Sequence, residues 1–371
     1  MRVLLAGLAF LFTVCTALTV YTVVTNYQQI GNLLRVLQLI ETEYIGQVRF
    51  GTLVEGAIDG MVRSLDDPYS AYLEPENYTR FREQIRGSFG GIGILVGMRS
   101  QGLLVIKPFA GTPAARAGIR EGDVITEIDG FKVSEMDLET AVAMIHGPIG
   151  TKVGLVVKRE NYEQPLRFTI TREEITIPSV EYKFLEPGVG YISVSQFSEQ
   201  TPPEVHEALS ELRSKGLKGL ILDLRNNPGG NLGSAVEISD LFIDEGPVVY
   251  IDYRSGKDEV FEGKPGKLGL PLVVLVNQDS ASAAEIVAGA VKDTKAGTLV
   301  GTRTFGKGVV QNLFPLRDGA GLKLTTARYL TPNRTDIHKK GIEPDVVVEQ
   351  PEGSARDVQL DKALEVLKSE L

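Results

Sequence analysis

The chain has 371 residues, 43% of them hydrophobic, which is enough to bury more than one core. Its net charge of −9 offers no basic face to a phosphate backbone and argues against a nucleic-acid partner. One cysteine, Cys15, excludes an intrachain disulfide framework and a thiolate metal cluster, and with three histidines in the whole chain no multi-histidine metal site is expected.

In chain order, the first feature is an almost continuously apolar run from Val3 to Val24, preceded by Arg2. It is long enough to span a bilayer and longer than the core of most signal peptides. No clean A-x-A site follows it, and Val14 stands where a lipobox needs a small residue before Cys15. An uncleaved membrane anchor (1–25) is therefore preferred over a removed signal, and either one puts the body of the protein outside the cytoplasm. Tyr27 to Ile45 follows with apolar residues at Ile30, Leu33, Leu34, Leu37 and Ile40, the spacing of a helix face. Phe50 to Leu65 reads as a second helix. Asp67-Pro68 and Pro75 break the pattern before a short helix over Tyr78 to Arg86. This region (26–86) reads as a helical arm or a dimerisation element, which leaves a homodimer open.

The segment 87–172 changes texture. Short β-rich runs such as LLVIKPF, DVITEIDG and KVGLVVKR surround two helical patches, with turn signals at Gly122-Asp123 and Asp129-Gly130. The stretch GTPAARAGIREGDVITEIDG resembles the PDZ domain, and the resemblance extends across the module. It implies that Gly90, Gly91, Ile92 and Gly93 form a substrate-binding loop. There, successive N–H groups would receive a carboxylate and an adjoining strand edge would accept a peptide. Without the resemblance, GGIG is a turn between strands.

From Ile175 onward strands alternate with helices, the pattern of an α/β layer with parallel pairing. Ligands of such sheets gather where strands run into helices. Two segments lie at such ends, NPGG (Asn227–Gly230) and NQDSAS (Asn277–Ser282). A serine at a helix start can cap it. The same unpaired N–H groups can also stabilise an oxyanion beside a nucleophile. Taken alone, Ser280 and Ser282 leave both roles open. The histidines give little support for a base: His146 falls in the PDZ-like module, His206 beside acidic residues of a helix, and His338 before two lysines. Lys307 is better placed, between Gly306 and Gly308 with Phe305, Val309 and Val310 as apolar neighbours. A lysine can serve as base when desolvation favours its neutral form.

SASAAEI, the FGKG-x-x-Q arrangement of Phe305 to Gln311, LDLRNNPGG, GAIDGMVRSLDDPYSAYLEPE and KKGIEPDVVVE together resemble the carboxyl-terminal processing peptidases, or tail-specific proteases. That resemblance implies Ser282 as nucleophile, Lys307 as its base and Gln311 as the residue holding the lysine. It also implies an oxyanion hole from the N–H of Ala283 and of Gly229 or Gly230, and it leaves Ser280 a turn or capping role. Two departures stand out. Ala284 replaces a serine common in the family, and the turn after Thr331-Pro332 lacks the usual glycine, so Asn333 is expected to take a left-handed conformation.

The expected fold is α/β and multi-domain. An α/β catalytic core (173–350) is joined by a small β-rich PDZ module (87–172), an N-terminal helical segment and a C-terminal helix (351–371). The expected function is an extracytoplasmic serine endopeptidase acting on protein or peptide substrates with free C-termini, with the PDZ module placed to gate access. A catalytically dead PDZ scaffold and a histidine-based hydrolase are the alternatives.

Overall fold

The computed structural model describes residue 21 and residues 26–99, 102–351, 353–354 and 356–371. Apart from Tyr21, the apolar run Val3–Val24 lies outside the described residues, among which no helix is long and apolar enough to cross a membrane. The chain divides into two compact units, residues 1–72 and 73–371, a division that falls within the region grouped above as 26–86.

In the first unit, helices α1 (Tyr27–Glu43) and α2 (Phe50–Arg63) form where the 3.6-residue spacing placed them. α1 buries none of its residues and α2 buries only Val62. A short strand, β1 (Ala71–Leu73), spans the division. The second unit continues with α3 (Pro75–Arg86), which starts three residues before the expected Tyr78 because Pro75 occupies the first helical turn, where its missing N–H costs nothing. Gly87, at φ 73°, ends the helix in a left-handed cap.

The PDZ module comprises β2 (Ser88–Gly91), β3 (Ile94–Arg99), β4 (Gly102–Pro108), α4 (Pro113–Ala117), β5 (Val124–Ile128), β6 (Phe131–Lys132), α5 (Leu138–Ile145), β7 (Lys152–Lys158), β8 (Leu166–Thr171) and β9 (Glu173–Thr176). Its main sheet runs in the order β3-β4-β5-β7-β8, while β2 and β9 pair separately. Alternate residues such as Leu103, Val105, Ile125, Val153, Leu155 and Val157 point into a core of the module's own. Two arginines brace it, Arg172 buried and Arg159 partly buried. Arg159 pairs with Asp123 at 2.7 Å. Arg172 donates to the carbonyls of Met144 and Ile145, satisfying the open C-terminal end of α5.

The α/β part contains β10 (Val180–Glu186), β11 (Val189–Val194), α6 (Thr201–Ser214), β12 (Gly219–Asp223), α7 (Leu232–Asp240), β13 (Gly246–Tyr253), β14 (Asp258–Gly263), β15 (Leu272–Val276), α8 (Ala283–Thr294), β16 (Thr298–Gly301), β17 (Val309–Pro315), β18 (Gly321–Leu330), β19 (Val346–Val347) and α9 (Val358–Ser369). One sheet has the order β10-β11-β12-β15-β16-β19 and is parallel except for its β10 edge. Its central strand LVVLV is buried throughout, as a parallel strand covered on both faces must be. Leu220, Leu222, Leu272 and Val274 face the core shared with α6, α7 and α8. Ile221, Val273 and Leu275 face the opposite way, toward Ala363 and Leu367 of α9. In a second, antiparallel sheet β13 lies between β14 and β18, and β18 also pairs with β17. The β13–β14 hairpin has no counterpart in the sequence reading, although Ser255-Gly256 is a turn signal and Gly256 has φ 72°.

One local expectation fails. The left-handed residue after Thr331-Pro332 is Arg334, at φ 58°, and not Asn333. The Arg334 N–H closes a turn onto Thr331 O, the Asn333 N–H is held by Asp293, and the Arg334 guanidinium lies 4.0 Å from the centre of the Tyr250 ring.

The strand end that leads to NPGG is clamped by charge. Arg225 bridges Asp223 at 2.6 Å and Asp357, at the start of α9, at 2.8 Å. Tyr191 donates to Asp223 at 2.8 Å. Burial opposes the Arg225 charge, yet Asp357 and Asp223 outweigh it and raise its pKa. Burial and the Asp223 charge push Tyr191 up to about 12. Burial also works against the Asp357 charge, but the Arg225 hydrogen bond prevails and lowers its pKa. Arg225→Ala leaves buried Asp223 without its cation and should cost about 3 kcal/mol, read as a lower unfolding midpoint. In the parent chain the contribution of Asp357 is complete above its unfolded-state pKa. It should fade as pH falls through its depressed folded value.

Candidate active site

The turn from β15 into α8 separates the two serines. Ser280 is fully buried; its hydroxyl donates to Leu224 O at 2.8 Å and accepts the Asn277 N–H at 2.9 Å. It thus fastens the end of β15 to the end of β12, a turn role, while the N-cap position of α8 belongs to Ser282. Ser282 has φ 56° and ψ −113°, a region that side chains avoid and that costs roughly 1–3 kcal/mol. A sharp strand-to-helix turn with a strained serine has the form of a nucleophile elbow.

What holds this turn is Glu285, which sits at 0% exposure. One carboxylate oxygen accepts the N–H of Ser282 at 2.9 Å and of Lys307 at 2.8 Å. The other accepts the N–H of Gly306 at 2.7 Å and the hydroxyl of Thr304 at 2.6 Å. The Thr304 hydroxyl in turn accepts the Ile342 N–H at 2.7 Å. Sequence reasoning assigned Glu285 no role. The available signal was the Ser282-x-x-Glu285 spacing of a capping box.

Lys307 is half-buried in the loop that Glu285 holds. Gly306 bends that loop at φ 89°, so consecutive side chains do not share a face. Val309 and Val310 line the cleft beside Lys307, whereas Phe305, expected to join them, is 54% exposed. Gln311 follows a bulge between Val310 and Gln311 that re-aims its side chain. Its amide donates to Val309 O at 3.3 Å and lies 3.5 Å from the Thr325 hydroxyl.

The NPGG loop closes against the serine from the other side. A β-carbon on Gly229 would lie 2.7 Å from the Ser282 β-carbon and 2.9 Å from Ala283 N, so only glycine allows this approach. The two glycines differ in their amides. The Gly229 N–H donates to Asn227 Oδ1 at 2.8 Å. Among the described residues, the N–H groups of Gly230 and Ala283 have no acceptor. Ser282, Ala283, Gly229, Gly230, Lys307 and Gln311 all line one cavity of about 380 Å³. Its further walls include Phe81 and Ile85 of α3, Leu232, Ile286 and Tyr329, none of them singled out in the sequence. No histidine lines it. His206 lies 3.8 Å from Glu237, and His146 stacks on Phe89 at 4.3 Å with its pKa lowered by burial and by Arg80 and Arg172.

The PDZ residues lie apart from this cavity. Gly90 and Gly91 belong to β2, paired with Glu174 and Glu173. Only Ile92 and Gly93 form the connection to β3. Ile92 is buried in the module's core, and Gly93 has φ 75°. Among the described residues, β3 pairs on one side only, with β4. Among the described residues, no group of three or more His, Cys, Asp or Glu side chains could hold a metal ion.

The Glu285 contacts carry a test. Glu285→Gln turns two of four donors toward an NH2 group. It should lower stability by about 2 kcal/mol and reduce kcat/KM, measured on the same preparation by thermal unfolding and steady-state kinetics.

Comparison with known proteins reaches the N-terminal helices, the PDZ module and the α/β core. A model of peptidase family S41 matches residues 188–348, one of the activating protease CtpB N-terminal domain matches 19–77, and one of the PDZ domain matches 108–159. The carboxy-terminal-processing protease of Bartonella bacilliformis is 39% identical over 350 residues, covering 92% of this chain and 80% of that protein. The carboxy-terminal processing protease CtpB of Bacillus subtilis is 40% identical over 335 residues, covering 89% and 70%. Among solved structures, the photosystem II D1 C-terminal processing protease matches with a TM-score of 0.52 and 33% identity over 89% of each chain. Kinship of this extent around the serine cleft makes the chain a member of peptidase family S41, a serine protease of the carboxy-terminal processing type that carries a PDZ domain.

Proposed function

We propose that the protein is an extracytoplasmic endopeptidase that takes hold of a substrate's free C-terminal tail with its PDZ module and cuts a nearby bond with a Ser282/Lys307 pair. The observation that carries this reading is the pairing of a strained serine with two unspent amides, those of Ala283 and Gly230, in the cavity that Lys307 also lines. Gly230 is the second oxyanion donor in this reading, since Gly229 already donates to Asn227 and serves by its lack of a side chain.

Neutral Lys307 takes the proton from Ser282 Oγ as the oxygen attacks the substrate carbonyl. Negative charge on the tetrahedral intermediate is received by the two amides, which need no reorganisation because nothing else occupies them. The C–N bond breaks as the protonated lysine gives its proton to the leaving amine. Water then attacks the acyl-enzyme with Lys307 again as base. Gln311 restrains the lysine from the bulged end of β17, and the reaction calls for no cofactor.

The free edge of β3 supports peptide capture by strand addition, with the Gly90–Gly93 segment at its start receiving the terminal carboxylate. The run Val3–Val24 supports an uncleaved anchor holding the enzyme at a membrane. Leu33 and Leu34 on α1, exposed at 48% and 61%, support a homodimer through the N-terminal arm. A dead scaffold would lack the serine, the lysine or the glycines, and a histidine hydrolase would need a histidine in the cavity.

Cleavage of a peptide with an apolar free C-terminus should be abolished in Ser282→Ala and fall by at least about 10³-fold in Lys307→Ala. Retained turnover in the first would remove the nucleophile, and full activity in the second the base. Because the base must be neutral, wild-type activity should decline as the medium is acidified from neutral to about pH 5. Amidating the substrate's C-terminus should raise KM with little change in kcat, since the tail contact is uniform binding. Equal KM for acid and amide would remove tail recognition.

A further inference from the structure

Tyr329 has no part in the steps above, yet it touches both halves of the machinery. It lies at 1% exposure in β18, where its residue pairs with Ile251 of β13. Its N–H donates to Gly308 O at 3.1 Å, one residue beyond Lys307. Its hydroxyl donates to the carbonyl of Ser282 at 3.1 Å, and its side chain lines the catalytic cavity.

The Ser282 carbonyl also accepts the N–H groups of Glu285 at 2.9 Å and Ile286 at 3.1 Å. Those two donors belong to α8 and move with it. Of the three, Tyr329 alone comes from outside the helix, from the sheet that adjoins the lysine loop. The bond matters because of what lies at the other end of the same peptide unit. The Ser282–Ala283 peptide is planar, so its C=O and N–H point in opposite directions and turn together. Fixing the oxygen therefore fixes the Ala283 N–H, one of the two amides left without an acceptor. Ser282 adopts its unusual ψ of −113° against local preference, so an outside restraint is needed to hold that plane. A hydrogen bond to the carbonyl also polarises the unit and strengthens its N–H as a donor.

The geometry points to Tyr329 as a positioning residue for the oxyanion hole, acting through the Ser282–Ala283 peptide plane. It rests on the Ser282/Lys307 reading and adds to it the source of the hole's alignment.

The test compares the full-length protein with Tyr329→Phe, which keeps the ring and removes the hydroxyl. The readouts are steady-state kinetics on a free-C-terminus peptide and the inhibition constant of a peptide aldehyde, whose hemiacetal oxygen occupies the oxyanion position. We expect kcat to fall about tenfold or more, less than the 10²–10³ lost with a donor itself, while KM stays within about twofold. Aldehyde affinity should fall by the same factor as kcat, and the pH midpoint should not move. Unchanged kcat overturns the proposal. So does a lower kcat with intact aldehyde affinity, which would indicate a packing role, or a displaced pH midpoint, which would place Tyr329 on the lysine. If Tyr329→Phe does not fold, 3-fluorotyrosine incorporated at position 329 decides. This more acidic donor should bind the aldehyde at least as tightly as the parent, and weaker binding overturns the proposal. Turnover by Ser282→Ala, or a parent enzyme blind to the aldehyde, would bring down the Ser282/Lys307 reading and this proposal with it. A failure confined to the Tyr329 variants leaves the parent reading standing.

Discussion

The carboxylate of Glu285 accepts four hydrogen bonds at a site closed to solvent, three of them from main-chain N–H groups on two loops distant in sequence. A buried carboxylate needs such donors to offset its desolvation, and buried amides need an acceptor just as strictly. The serine turn and the lysine loop therefore satisfy one another through this side chain, and neither can shift without exposing polar groups in a dry interior. That constraint lets the lysine loop be built from glycines. Its course is set by the acceptor it meets, since Gly306 and Gly308 impose little of their own.

Around this anchor the site is best described by which backbone donors are used. Folded chains leave few buried amides without partners. Here the Gly229 N–H is used internally by Asn227 while the neighbouring Gly230 N–H and the Ala283 N–H, among the described residues, are left open beside a strained serine. Close approach of the NPGG loop requires a residue without a β-carbon at Gly229. The Arg225 clamp onto Asp223 and Asp357 fixes the strand end from which that loop departs. A charged clamp thus sets the strand end from which the uncharged donors depart.

Helix α3 links the two modules physically. Phe81, Gln84 and Ile85 line the cavity that holds Ser282 and Lys307. Arg80, Glu83 and Arg86 line a separate groove of about 640 Å³ whose far wall includes Phe89, His146 and Ile149 of the PDZ module. Arg80 reaches Glu139 of α5 at 2.8 Å across that groove, an exposed pair that adds little energy by itself. Burial raises the pKa of Glu83, against the opposing hydrogen bond from Gly90. The PDZ module, which the sequence position alone suggested as a gate, thus shares a helix with the cleft.

Sequence by itself determined the order and type of most elements, because a period of two or 3.6 and an uninterrupted apolar run such as LVVLV report burial directly. It also determined the identities of Ser282, Lys307 and the glycine pair as the residues that gather in one cavity, through motifs whose joint occurrence is specific. It passed over the β13–β14 hairpin, misplaced the left-handed residue of the 331–334 turn, and expected Phe305 beside the lysine. Only the tertiary structure decided that Ser280 is a turn fastener, that the Gly229 amide is spent while the Gly230 amide is not, and that Glu285 and Tyr329 hold the serine turn from two sides. The reason is physical. Whether a backbone donor is free depends on an acceptor such as Asn227 Oδ1, and whether a peptide plane is held depends on a hydroxyl arriving from a strand 47 residues away in sequence. Local pattern cannot report partners that the fold alone brings into contact.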